Sequence, residues 1–463
     1  MRTRIFLLFL ALCFAFSSTA QLDLGYQKPD KAILDLADVN LPPSTFTDSK
    51  GEIAIMLYRD QYKTIAELSE PELRLAGLRI NPATNIGSRQ TYYKGVKILT
   101  LKNGKEKAIK GLPEQPRISN FSWSPDESKF AVLNTTKTGV ELWVVDLKSA
   151  QAKQLTKAHL NATMGTPFAW LGDGESLLVR TLPKEKAELI DNSKTIPNGP
   201  TISENQGKKA QNRTYQDLLK NPTDEHNFKV LAGSEIYKVD LDGNKKLWKE
   251  AGMHSSVSVS PNGEYILIRE LKRPFSYIVP YYRFPYTMKV YDKKGNHVET
   301  LLDAPLEEER PKGFMSTTKE KRSFSWRGDQ PASIIYTLAL DEGDAGNEVE
   351  YRDEVFQLDA PFSGNARSIL KTKDRFGGIQ WGNNNMAVGV DYWWNTRNTR
   401  QYLFNPSNNK QEAKEFFERN YQDRYSDPGD FATQRNQYGR SVLLINNNHL
   451  FLEGDGYTPE GRF

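Results

Sequence analysis

The sequence predicts an all-β chain assembled from repeated four-stranded antiparallel units, and three observations carry that prediction. First, a strand–turn–strand phrase recurs. The fullest copy is FSWSPDESKFAVL at 121–133, with looser copies FAWLGDGESLLV at 168–179, VSVSPNGEYILI at 257–268, FSWRGDQPASIIY at 324–336 and IQWGNNNMAVGV at 379–390. Second, each copy has the same chemistry. An aromatic or β-branched run enters, Pro, Asp, Asn and Gly reverse the chain, and an alternating apolar run leaves. Third, the copies are widely spaced: 47 positions separate Trp123 from Trp170, and 55 separate Trp326 from Trp381. A period of roughly 40 to 50 residues with several strands per unit is the signature of a β-propeller, here of about seven blades.

The elements follow in chain order. Residues 1–20 read as a secretory signal. Arg2 and Arg4 give a basic start, 5–16 is apolar, and Ser18, Thr19 and Ala20 precede an expected cleavage between Ala20 and Gln21. The apolar run is too short to span a bilayer. Residues 21–43 form a polar lead-in, and 44–463 form the propeller. The first blade starts near Thr45 and takes its outer strands from GVKILTL and the run before Leu112. The second, with VELWVVDL and AKQLT as outer strands, is the cleanest. The third is interrupted by a loop at 184–209 with no periodicity, followed by RTYQDLLK at 213–220, which reads as a short helix. The fourth runs from Val257 to about Leu302. Its middle carries Pro274, Pro280 and Pro285, and must leave the ladder because proline cannot donate to it. The fifth spans about 323–372 and the sixth 379–417. After a connector containing YSDPGDF, the seventh starts at Tyr438 and is incomplete in this sequence. The chain is therefore expected to be either the front part of a larger protein or a free-standing binding module.

Charge and cysteine content narrow the function. The formal net charge is +4, falling to +2 once Arg2 and Arg4 are removed, which gives no electrostatic case for nucleic acid or an anionic membrane. The only cysteine, Cys13, lies in the signal, so the exported chain must be stable without disulfides. The five histidines, His159, His226, His254, His297 and His449, are isolated and show no metal-ligand spacing. No GxSxG elbow, P-loop or GxGxxG fingerprint occurs, and no cofactor is expected.

One segment rises above this background. In the fourth blade, Arg269, Lys272, Arg273 and Arg283 lie among Phe275, Tyr277, Tyr281, Tyr282, Phe284 and Tyr286. Arginine beside tyrosine suits a carboxylate, because the guanidinium donates two parallel bonds and the ring offers a stacking face. Arg273, Tyr277, Tyr281 and Arg283 are the candidate substrate-binding residues. The ordinary alternative is an irregular, well-packed blade with snorkelling cations. Tyr392, Trp393 and Trp394, near Arg397 and Arg400, admit the same two readings.

The phrases RPFSYIVPYYRFPYTMKVYD, NRTYQDLLK, SFSWRGDQPAS, GGIQW, YSDPGD and GYTPEG resemble the glutamyl endopeptidase branch of the prolyl oligopeptidase family, over about 34–463. The resemblance implies a propeller that caps and gates a C-terminal α/β-hydrolase domain. That domain carries a Ser-Asp-His triad and cleaves peptides after acidic residues, chiefly Glu. It is absent from this sequence, so no catalytic residue can be carried over and the chain alone is expected to be inactive. The implied partners are peptide substrates and the hydrolase domain. The implied location is outside the cytoplasm, periplasmic or secreted, with no membrane attachment after signal removal.

Overall fold

A computed structural model describes residues 27–191 and 215–462. The Ala20–Gln21 cleavage site and most of the interrupting loop lie outside the described residues. The chain divides into two compact units. The smaller comprises 27–42 and 60–63 among the described residues and holds a helix, Lys31–Ala37, in what the sequence suggested was only a polar lead-in. The larger comprises 43–59, 64–191 and 215–462 and contains every strand among the described residues.

Within the larger unit the predicted blades are antiparallel sheets. The first blade is Ser44–Thr47, Ile53–Tyr58, Gly95–Thr100 and Lys105–Ala108. The second is Ile118–Trp123, Lys129–Thr135, Val140–Asp146 and Gln151–Gln154. The third and fourth share a 15-residue strand, Lys245–Val259. Its first half pairs with Ser234–Asp240 and its second half with Tyr265–Leu271, so the two blades form one seven-stranded sheet. The third opens with Phe168–Trp170 and Ser176–Thr181, and the fourth closes with Tyr286–Asp292 and His297–Ala304. The fifth is Arg322–Trp326, Ser333–Ala339, Asp353–Asp359 and Arg367–Thr372. The sixth is Arg375–Asn383, Met386–Trp393, Asn398–Phe404 and Lys414–Asn420.

The repeated phrase owes its recurrence to its turn. Lys129 N donates to Ser124 Oγ at 3.0 Å, and Ser124 Oγ donates to Asp126 at 2.6 Å. In the fourth blade Tyr265 N donates to Ser260 Oγ at 3.0 Å, and Ser260 Oγ donates to Asn262 at 2.8 Å. Serine, then proline, then Asp or Asn closes each hairpin with side-chain bonds that mimic backbone ones.

Period two then stacks the blades. Adjacent residues of a strand point to opposite faces, so each second strand serves two cores. Leu177 packs towards the second blade and Leu178 towards the fourth. Leu267 packs towards the fifth while Ile266 and Ile268 pack towards the third. Ile334 packs towards the fourth and Ile335 towards the sixth. The series ends with Val388, Phe431 and Leu443, between the sixth blade and the seventh unit. Among the described residues no buried cluster joins the seventh unit to the first blade.

Two expectations need correction. The segment Tyr215–Lys220 is not helical; the helix is Pro222–Ala232. Asn221 caps it by accepting from Asp224 N at 2.9 Å, and Pro222 sits at the first turn, where its missing N–H costs nothing. The seventh unit begins earlier than Tyr438. Its first hairpin pairs Thr433–Arg435 with Ser441–Leu443, and Tyr438 lies in the turn. Strands of two or three residues are too short to show alternation in a sequence.

Candidate binding cleft

Antiparallel order places all links between second and third strands at one end of the blades, together with the links from one blade to the next. Three enlarged ones are 64–94 in the first blade, 182–233 in the third and 272–285 in the fourth. They condense into a core of their own. Leu75, Ala76 and Ile80 pack with Leu219, Phe228 and Leu231, and with Phe275, Val279 and Phe284. Phe228 meets Phe275 edge-on at 5.1 Å, and Phe275 stacks on Phe284 at 5.3 Å. Tyr281 N donates to Ala76 O at 2.8 Å. Gly77, at φ +86°, lies so close to Pro280 that an added Cβ would come within 2.7 Å of it. Only glycine fits there.

The proline-rich link thus leaves the ladder as expected, and its predicted site residues fall into two places. Arg273 and Tyr277 converge on Glu225 of helix Pro222–Ala232. Arg273 Nη1 donates to Glu225 Oε2 at 2.6 Å and Tyr277 Oη to Oε1 at 2.7 Å. The carboxylate beside it pushes the Tyr277 phenol up to about 12. The Arg273 guanidinium also covers Phe275 at 4.6 Å. Tyr281 is half-buried against the insert core.

Arg283 lies apart from this pair. Its side chain is 1% exposed. Nη1 donates to Tyr215 Oη at 2.7 Å, but Nε and Nη2 have no hydrogen-bond partner among the described residues. The nearest carboxylate oxygen, Glu307 Oε2, is 3.6 Å from Nε, too far for a bond. Glu307 is instead held by Arg310 through two bonds of 2.7 and 2.6 Å. Arg283 lines a cleft of about 610 Å3 between the fourth and fifth blades, with Tyr282, Tyr286, Glu307, Lys319 and Arg322. Arg322 pairs with Asp353 through Nη2, while its Nη1 has no hydrogen-bond partner among the described residues. Burial holds the Arg322 guanidinium below its ordinary range, and Asp353 opposes that.

Sequence reasoning found Arg283 but missed Arg322, Glu307 and Arg310. Three consecutive acids such as Glu307, Glu308 and Glu309 are ordinarily a solvated charge run. The signal present was a pair of opposite charges, Glu307 and Arg310, three positions apart between Pro305 and Pro311.

A second cavity, of about 670 Å3, runs along the first strands and is lined by Phe121, Trp123, Phe168, Trp170 and Trp326. The turn 436–440 lies across it. Asn436 donates to Gly328 O at 2.8 Å, Arg440 donates to Val259 O at 2.8 Å, and Arg435 pairs with Glu127 at 2.8 Å. Among the described residues no group of three His, Cys, Asp or Glu could hold a metal ion.

No protein-family model matches the chain. It is 34% identical over 460 residues to a probable chloroplastic glutamyl endopeptidase of Oryza sativa subsp. japonica, a match covering 95% of this chain and 49% of that protein. It is 33% identical over 459 residues to the probable chloroplastic glutamyl endopeptidase of Arabidopsis thaliana, covering 94% and 47%. The chain thus spans about half the length of the curated relatives it matches. Among solved structures it is similar to the acylaminoacyl peptidase of Pyrococcus horikoshii in its orthorhombic crystal form. Identity is 15% and the TM-score 0.42, over 82% of this chain and 46% of that one.

Proposed function

We propose, from the chain's kinship with the propeller portion of the glutamyl endopeptidases of the prolyl oligopeptidase family, that it is the substrate-gating part of an exported serine peptidase. In this reading the rest of the natural protein is an α/β-hydrolase that performs acyl transfer through an activated serine and an oxyanion hole. The propeller admits short peptides and excludes folded proteins. The observation that carries the reading is the similarity along nearly the whole of this chain. The arrangement of the links supports it. The end of the blades that bears the three enlarged links also exposes Tyr277, Ile278, Phe314 and Trp394, apolar surface suited to a partner domain.

The finer reading is a preference for acidic residues, with a cation of the proline-rich link meeting the substrate carboxylate. Arg273, Tyr277, Tyr281 and Arg283 are the residues proposed to do so. The complete protein tests it with matched fluorogenic peptides carrying Glu or Gln before the scissile bond. Losing one charged hydrogen bond of about 1.5 to 3 kcal/mol corresponds to roughly ten- to a hundred-fold, so Glu is expected to be preferred by that factor. Equal rates would contradict the preference, and no hydrolysis of either would contradict the peptidase reading. Export is proposed to follow cleavage between Ala20 and Gln21, outside the cytoplasm in the periplasm or medium. N-terminal sequencing of the exported form is expected to begin at Gln21, and Met1 retained in a membrane fraction would reject it.

A further inference from the structure

We infer that the cleft between the fourth and fifth blades is a carboxylate-binding site, and that the ligand docks on the Nε–Nη2 edge of Arg283 in place of Glu307. The inference deepens the acid preference proposed above and rests on that reading only for where the carboxylate comes from.

Three observations converge. On a guanidinium, Nε–H and the neighbouring Nη2–H point the same way and form the edge that grips a carboxylate with two parallel bonds. In Arg283 it is this edge that is unpaired, while the other end is fixed by Tyr215. The edge is also buried, where an unpaired donor is rare in a finished structure. Finally, a carboxylate already stands in front of it. Glu307 Oε2 is 3.6 Å from Nε, held there by Arg310 and not by Arg283. Glu307 therefore covers the edge without satisfying it. A ligand carboxylate can take that place if Glu307 swings aside with Arg310 still attached.

The charges around the cleft set the ligand's class. Arg283, Arg310, Lys319 and Arg322 face it, but so do Glu307, Glu308, Glu309 and Glu320. Ser276 Oγ donates to Glu308 at 2.6 Å, and Glu307 belongs to Arg310. With the two signs nearly balanced, a polyanion such as a phosphate meets as much repulsion as attraction. A single carboxylate on an otherwise neutral, peptide-like molecule fits, and a further unpaired donor, Arg322 Nη1, belongs to the lining of the same cleft. That carboxylate could be an acidic side chain or a peptide's C-terminus.

Isothermal titration of the intact protein separates these sources. The probes are N-acetyl-glutamate α-amide, with only a side-chain carboxylate; N-acetyl-glutamine, with only a terminal one; and N-acetyl-glutamine α-amide, with none. Saturable binding of one or both acids, and none of the neutral amide, is expected. Arg283→Met should weaken the bound acid ten-fold or more. Glu307→Gln, which removes the resident competitor, should tighten it. The Glu307 variant keeps the proposal testable should the Arg283 variant fold poorly. No acid binding at millimolar concentration, inorganic phosphate binding more tightly than either acid, or acid binding unchanged in both variants would each overturn the site. Hydrolysis after Glu with titrations indifferent to Arg283 would reject this inference and leave the peptidase reading standing. Arg283-dependent binding without hydrolysis would do the reverse.

Discussion

Two of the almost wholly buried arginines of this propeller have opposite surroundings. Arg180, in strand Ser176–Thr181, spends its donors on backbone carbonyls. Nη1 donates to His254 O at 2.6 Å, and Nη2 to Met164 O, Gly165 O and Thr166 O at 3.1, 3.1 and 2.8 Å. It ties the link between the second and third blades to the long shared strand, and burial pushes it down to about 10. Arg283 is equally buried but makes one bond and leaves its carboxylate-gripping edge unpaired. Burial therefore does not mark a functional arginine. What separates these two is the bonds left unmade, since a buried donor without a partner costs about 1 to 3 kcal/mol that a ligand could recover.

The largest expected effect tests the structural half of this contrast. Arg180→Met strips four carbonyls of their donor and should destabilise the fold by about 3 to 5 kcal/mol, measured by urea unfolding. A loss below about 1 kcal/mol would mean those bonds count for little.

A buried carboxyl offers a second satisfied group for comparison. Asp391 accepts from Tyr402 Oη at 2.6 Å and from Asp374 N at 2.9 Å, yet burial still raises it to about 6. Its folded value lies above its unfolded one, so the folded state holds the proton more tightly. Stability should be greatest below about pH 4 and decline as pH rises towards 6, by about 2 to 3 kcal/mol from this group. Asp391→Asn should flatten that slope, and unfolding curves between pH 4 and 7 would show it. An unchanged slope would assign the pH dependence to other groups.

The Arg283→Met exchange should behave unlike Arg180→Met. It loses the Tyr215 bond but also removes two unpaired donors, so stability should shift by no more than about 1 kcal/mol. A loss as large as that of Arg180→Met would erase the distinction between the two arginines.

The smallest effect concerns Glu225, the carboxylate already gripped by Arg273 and Tyr277. Arg273 is half exposed, and solvent screens the pair. Glu225→Gln should therefore cost less than about 1 kcal/mol. The Tyr277 phenol should fall from about 12 towards the ordinary 10, readable by ultraviolet titration. No fall would show that Glu225 is not what raises it.

These contrasts were only partly legible in the sequence. The blades were, because the strand–turn–strand phrase recurs, with a Ser-Pro-Asp/Asn turn in the second and fourth blades, and each second strand alternates between two cores, as Leu177 and Leu178 do. The helix Pro222–Ala232 follows the stretch expected to be helical, 213–220, because its start signal, Asn221 and Pro222, lies just beyond that stretch. The shared strand Lys245–Val259 carries Gly252 and three serines, but no Pro, Asp or Asn separates two blades until Pro261. Arg283 stood out for its aromatic neighbours. That it differs from Arg273 could not be read, because the difference lies in partners from distant links: Glu225 for Arg273, Tyr215 and Glu307 for Arg283. Pairings across 24 to 68 positions leave no periodicity in a sequence.

The central claim, that the unpaired edge of Arg283 and not its charge is what the cleft offers, is tested most directly by Arg283→Lys. Lysine keeps the positive charge and loses the fork. Titration of N-acetyl-glutamate α-amide and N-acetyl-glutamine into the intact wild-type and variant proteins is the measurement. The acid that wild type binds should bind the variant at least ten-fold more weakly, with the fold unchanged. Equal affinity in the two proteins would contradict the claim and leave Arg283 a buried arginine like Arg180.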